Sequence, residues 1–194
     1  MKKRTVALLL ALTLVLGVAA GGTIAWLFDK TDAITNTFTV GDIGVSLTES
    51  EETYQLIPGK HYTKNPTVTV TNDFDCYLFV KFVKTNNPET YLTYESMLTE
   101  AAGWTQGNST NGIPSDVWFR TVGASDANKT WNLIKDNSVD VKDNIVKAGT
   151  ATDGYIDMPT NAPELTYQAA AVQVENRTLT EAWDLVKANL GYTA

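Results

Sequence analysis

The sequence predicts a mainly β protein, a jelly roll or β-sandwich with a C-terminal helix and short peripheral helices. Short apolar-alternating runs are separated by Gly, Asn, Asp and Ser turns throughout the second half and much of the first, as in sandwiches and jelly rolls. One run, residues 76–84 (CYLFVKFVK), is apolar on both faces, which marks a central strand covered on two sides. Only the segment after Thr178 joins a capping signal to a helical apolar period.

The first stretch of the chain belongs to none of these strands. Lys2, Lys3 and Arg4 precede an apolar and small-residue run over residues 6–20, the layout of a secretory signal peptide. A retained membrane helix is the alternative, and it needs roughly 20 apolar residues. Thr23 and Ala25 place small side chains third and first before Trp26, as a signal peptidase pocket requires, so residues 1–25 are expected to be removed. Ala20 is a second possible end of the signal. Cleavage at Ala25 removes three of the 15 basic residues and none of the 22 acidic ones, leaving a formal charge of −10. Such a surface repels phosphate backbones and anionic lipid, which argues against nucleic acid and, once cut, against membrane as partners.

Along residues 26–194, read as one extracellular domain, the elements follow in order. Residues 37–47 (TFTVGDIGVSL) alternate Phe38, Val40, Val45 and Leu47, with Gly41 and Gly44 where a bulge would fit. Pro58-Gly59 is a turn signal, and Thr67 to Thr71 (TVTVT) is a strand with one apolar face that ends at Asn72-Asp73. Further strands are expected at residues 117–122, 130–134 and 165–174. Residues 89–102 look helical, the weaker of two such stretches, because their aromatic and Thr residues suit a strand about equally well. In the C-terminal segment, Thr178 and Glu181 have capping-box spacing, and Leu179, Ala182, Trp183, Val186 and Leu190 share a face. Trp183 should pack on the edge or face of a sheet.

The usual parts of a catalytic site are missing. His61 is the only histidine and Cys76 the only cysteine, which excludes an intramolecular disulfide and a two-histidine metal site within one chain. Cys76 lies in an apolar run where a thiolate is disfavoured, and His61 reads as a surface loop residue. Asp136, Asn137, Asp140, Asp143 and Asn144 are close together but lack the Gly and terminal Glu of an EF-hand, as do Asp29, Asp32 and Asn36; both groups read as solvated loops. Asn108, Asn128 and Asn176 carry glycosylation triplets that so Asn- and Thr-rich a chain holds by chance. Trp104, Trp118 and Trp131 are the aromatics a binding module would expose, and otherwise pack in the core. No cofactor or metal ligand set follows.

The junction itself has a specific look. Gly21-Gly22-Thr23-Ile24-Ala25-Trp26-Leu27-Phe28-Asp29, then Asp32-Ala33, then Thr35-Asn36-Thr37-Phe38-Thr39-Val40-Gly41, resembles the start of the TasA/camelysin family, exported proteins of Gram-positive bacteria cut by the dedicated signal peptidase SipW. Leu56-Ile57-Pro58-Gly59, residues 64–72 (KNPTVTVTN), residues 77–82 (YLFVKF), and residues 165–175 with Ala182-Trp183 are similar to later parts of that family. The resemblance covers about half the chain. It implies a secreted jelly-roll subunit of biofilm-matrix or cell-surface fibres, partnered by copies of itself, with a homologous matrix or accessory protein as a further partner. In such an assembly residues 26–38 of one copy add as a strand to the next, with Trp26, Leu27, Phe28 and Phe38 as the contacts. The apolar side chains at the cut end then find a place in a neighbour's groove. A monomeric adhesin is the alternative. Camelysins are also classed as metallo-endopeptidases, but no zinc ligand set transfers onto these residues.

Overall fold

The computed structural model describes residues 42–51 and 53–193. The described residues belong to the unit Val40–Ala194. In chain order the strands are β1 (Ile43–Thr48), β2 (His61–Thr63), β3 (Thr67–Asn72), β4 (Cys76–Thr85), β5 (Leu92–Thr93), β6 (Thr105–Gln106), β7 (Val117–Val122), β8 (Thr130–Asn132), β9 (Ser138–Val141), β10 (Ile145–Val146), β11 (Ile156–Asp157) and β12 (Glu164–Gln173). The protein is mainly β, and two antiparallel sheets make its sandwich. One has the order β1-β3-β8 and the other β12-β4-β7-β6, while β2-β9-β5 and the parallel pair β10-β11 form smaller sheets.

The ten-residue β4 lies inside the larger sheet, as its two apolar faces require. It pairs along its whole length with β12, from Cys76 opposite Gln173 to Thr85 opposite Glu164, and with β7 on its other side. Cys76, Leu78, Val80 and Phe82 point into the sandwich, where they meet Val68 and Val70 of β3, Val122 of β7, and Leu98, Trp104 and Leu133. Tyr77 and Phe79 point the other way into a second core, with Ile113, Val117, Phe119, Ala170 and the C-terminal helix. The molecule therefore has three layers: sheet, sheet and helix.

That helix, Leu179–Val186, begins as its capping spacing predicts. The Glu181 backbone N–H donates to Thr178 Oγ1, and the Thr178 N–H donates back to Glu181 Oε2 at 2.7 Å. The Thr178 N–H and hydroxyl, both donating to Glu181 Oε2, hold that carboxyl below its ordinary pKa, the backbone N–H contributing most. Ala182, Trp183 and Val186 are buried, and Trp183 packs on the sheet face, its ring centroid 5.6 Å from that of Phe79. After a left-handed Gly191, the chain is pinned by the Tyr192 hydroxyl, which donates to Asp116 Oδ1 at 2.6 Å.

Several expectations need correction. Residues 89–102 are not a helix: a single helical turn, Pro88–Tyr91, runs into β5, and a second short turn, Glu100–Ala102, follows. Leu92 pairs with Val141 and Ser96 bridges Ile134, so the sheet claims residues whose own preference was balanced. Gly44 makes no bulge, because β1 and β3 stay in unbroken register from Ile43 opposite Asn72 to Thr48 opposite Thr67. It answers a close approach instead: a Cβ there would lie 2.6 Å from Thr71 Oγ1. Gly41 lies outside the described residues. At Pro58-Gly59 the turn is present, with φ +70 at Gly59 and the Lys60 N–H donating to the Ile57 carbonyl at 3.0 Å. His61 lies on β2 rather than in a loop. The acidic segment 136–144 is likewise not all loop, since residues 138–141 form β9, the middle strand of its sheet.

Candidate functional site

A candidate region is the lateral margin of the sandwich where β1 and β12 lie beside each other. Each is the outer strand of its sheet, and among the described residues neither has a further strand on its free side. Free edges offer backbone donors and acceptors to any extended segment. The inward-facing side chains here are only half covered. Ile43 and Val45 of β1, and Leu165, Tyr167, Ala169 and Ala171 of β12, pack against the core without being fully buried. Leu47, next in the β1 alternation, is 36% exposed. Ala169 and Ala171 contribute little side chain to cover this floor.

Beside the start of β12 lies a cavity of about 420 Å³ lined by Tyr54, Tyr62, Lys64, Val139, Val141 and Leu165, among others. Leu165 belongs both to this margin and to the cavity lining. Tyr62 and Lys64 reach the cavity because residues two apart on an extended chain share a face. The Tyr54 and Tyr62 rings meet edge to face at 5.4 Å. Lys64 is 9% exposed, yet it carries its charge inward: Nζ lies 2.8 Å from Glu49 Oε1 and 5.1 Å from the Tyr54 ring centroid. This pair joins the segment after β1 to the segment after β2. Burial pushes the Tyr54 hydroxyl up from its ordinary pKa, and the neighbouring Glu49 carboxylate adds to the rise. The phenol stays neutral and donates to the Glu51 carbonyl at 2.7 Å. Above Phe82, with which it stacks at 4.6 Å, Tyr167 holds a buried hydroxyl that finds no partner among the described residues. Burial raises its pKa too.

The arrangement suits binding more readily than bond-making. It combines two strand edges unpaired among the described residues, an apolar floor and a cavity with a neutralised ion pair, a combination that can take an extended segment with one bulky side chain. The residues expected from the sequence to act at the junction, Thr23, Ala25, Trp26, Leu27, Phe28 and Phe38, all lie outside the described residues. Sequence reading singled out neither Tyr54 nor Tyr62. The signal that was there is the Tyr62-x-Lys64 alternation just after a turn.

Cys76 is fully buried, and burial pushes its thiol up to about 11. His61 is exposed and its Nδ1 lies 2.8 Å from Asp140 Oδ1. Among the described residues no three His, Cys, Asp or Glu side chains converge as metal ligands, and no helix there is long and apolar enough to cross a membrane. Trp104 is 2% exposed, so it has no face to offer a ligand. No protein-family model and no curated protein matches this chain.

Proposed function

We propose that this chain is a secreted, non-enzymatic structural subunit of extracellular-matrix or cell-surface fibres, of the TasA/camelysin type, processed by a signal peptidase and polymerised by adding residues 26–38 of one copy as a strand to the next. The observation that carries this reading is the β1/β12 margin, with two outer strand edges side by side that have no further partner strand among the described residues, and half-covered apolar side chains between them. A donated strand there would pair backbone groups and cover that apolar surface in one step. The acidic body, at −10 after cleavage, keeps free subunits apart in solution. Residues 1–25 would hold the donor end until they are cut, which makes processing the trigger of assembly. Partners are other copies of the chain, with a homologous matrix or accessory protein in addition.

The test couples intact mass of the secreted protein with light scattering at rising concentration. A start near Trp26 with particles growing by a definite repeat is expected, and Phe28→Asp should leave the monomer folded and stop growth, since an unpaired carboxylate in an apolar groove is costly. Normal polymerisation of Phe28→Asp would refute strand donation through this segment. A stable monomer starting near Trp26 would favour the second reading, a monomeric adhesin, for which Trp118 offers a candidate contact.

A further inference from the structure

At the same end of the larger sheet as the Tyr54 cavity, where Leu165 pairs with Lys84, a second hollow of about 500 Å³ opens between the end of β4 and the start of β7, lined by Phe82, Leu98, Trp118, Gln106, Ser115 and Asp116, with Lys84 and Ser96 at its margin. Its size falls in the range of small-ligand sites, about 300–1,000 Å³. Phe82 and Leu98 are buried core residues that form the floor. Trp118 is the wall: it packs against the core and lines the opening, so it is half-buried with part of the indole left to the cavity. Strand pairing fixes its position, since Trp118 lies opposite Val80 on one side and Gln106 on the other.

The polar groups above this wall are oriented and partly unspent. Gln106 Nε2 donates to the Ser115 carbonyl at 2.7 Å, which leaves its side-chain oxygen without a partner among the described residues. Asp116 accepts the Tyr192 hydroxyl on Oδ1 at 2.6 Å, and its second oxygen and the Ser115 hydroxyl have no hydrogen bond among those residues. An aromatic wall beside acceptors and a hydroxyl matches a ligand with one apolar C–H face and an equatorial ring of hydroxyls. Lys84, the one cation lining it among the described residues, is already paired with Glu89, and its hydrogen bond is the main reason that the Glu89 carboxyl titrates below its ordinary range. With the net charge negative, an acidic ligand is disfavoured.

We propose that this hollow is a binding site for a neutral glycan chain, with a sugar ring stacked on Trp118 and its hydroxyls bonded to Gln106, Ser115 and Asp116. The site does not depend on polymerisation and lies on residues that the strand-donation reading leaves unused.

The experiment follows the five indole N–H signals of the secreted protein by NMR during titration with hexasaccharides of β-linked glucose and of β-linked N-acetylglucosamine, with a hexauronate as the charged control. One signal, absent in Trp118→Phe, should move with at least one neutral probe and stay still with the uronate. Gln106→Ala, a change at an exposed position, should weaken that binding at least threefold while leaving the other indole signals in place. Binding that Gln106→Ala and Trp118→Phe both leave unchanged would overturn the assignment. So would indole signals that stay still at millimolar concentrations of both neutral probes, or equal binding of the uronate.

Discussion

The two lateral margins of the sandwich solve the same problem in opposite ways. Each is a pair of outer strands, β1 with β12 on one side and β6 with β8 on the other. On the β6/β8 side the gap is filled from within the chain. Trp104, just before β6, meets Trp131 of β8 edge to face at 6.0 Å, and the Arg120 guanidinium of β7 lies over both rings, at 4.4 Å from Trp131 and 5.3 Å from Trp104. Burial lowers the Arg120 pKa, although Asp126 acts against it, and its Nε has no partner among the described residues. On the β1/β12 side no comparable group is present among those residues, and alanines stand where large side chains would close the gap. One margin is thus closed by its own side chains, and the other keeps half-covered apolar side chains among the described residues.

The contrast can be broken at either margin. The largest loss is expected at the closed one: Trp104→Ala should cost about 3–5 kcal/mol, as for other large-to-small changes in a core, read as a lowered urea midpoint. Next comes the ion pair at the end of the open margin. Glu49→Ala leaves Lys64 buried without its carboxylate and should cost about 3 kcal/mol, whereas replacing both residues with apolar ones of similar size should recover most of that loss in the same denaturation assay. Arg120→Ala removes only the clasp over the two rings, and about 1–2 kcal/mol is expected from lost cation–π and packing contacts.

Smaller effects sharpen the comparison. Thr178→Ala should cost about 1 kcal/mol and fray the C-terminal helix without touching either margin. The pH dependence has a definite sign. Because the folded carboxyl of Glu181 titrates below its ordinary value, its contribution is present above the unfolded pKa and is lost as pH falls through the lowered one. Circular dichroism should therefore show helix loss on acidification in the native chain, and a shallower acid-side change in Thr178→Ala. Least of all, Leu47→Lys at the open margin should change stability by no more than about 0.5 kcal/mol. It should nonetheless abolish particle growth in light scattering if strands are received there; stability lost in place of growth would mean that this margin is ordinary core.

Legibility in the sequence followed how far a pattern ran. Residues 67–71, 76–84, 117–122 and 165–174 were found to within a residue or two of β3, β4, β7 and β12, because alternation over five or more positions is set by the pleat itself. The capping box was equally plain, since its partners are three residues apart. Strands of two or three residues, such as β5, β6 and β10, carry too short a pattern to be seen. Residues 89–102 misled because Tyr91, Leu92, Tyr94 and Leu98 serve helix and strand alike, and the decision lay with distant partners, Val141 and Ile134. At the open margin, Ala169 and Ala171 read as strand residues of no distinction; that they border an unfilled groove depends on β1, more than 100 residues away.

What the sequence by itself determined is the class of protein and its local grammar: mainly β, a central strand covered twice, a capped C-terminal helix, an acidic surface and a single buried thiol. These follow from periodicity, capping geometry and composition, which act over a few residues. Which strands end a sheet, which margin Arg120 closes and which is left open, and where Tyr62 and Lys64 meet Leu165 were decided by the tertiary structure alone. An edge is a relation between strands distant along the chain, and only packing sets which side chains are left without neighbours.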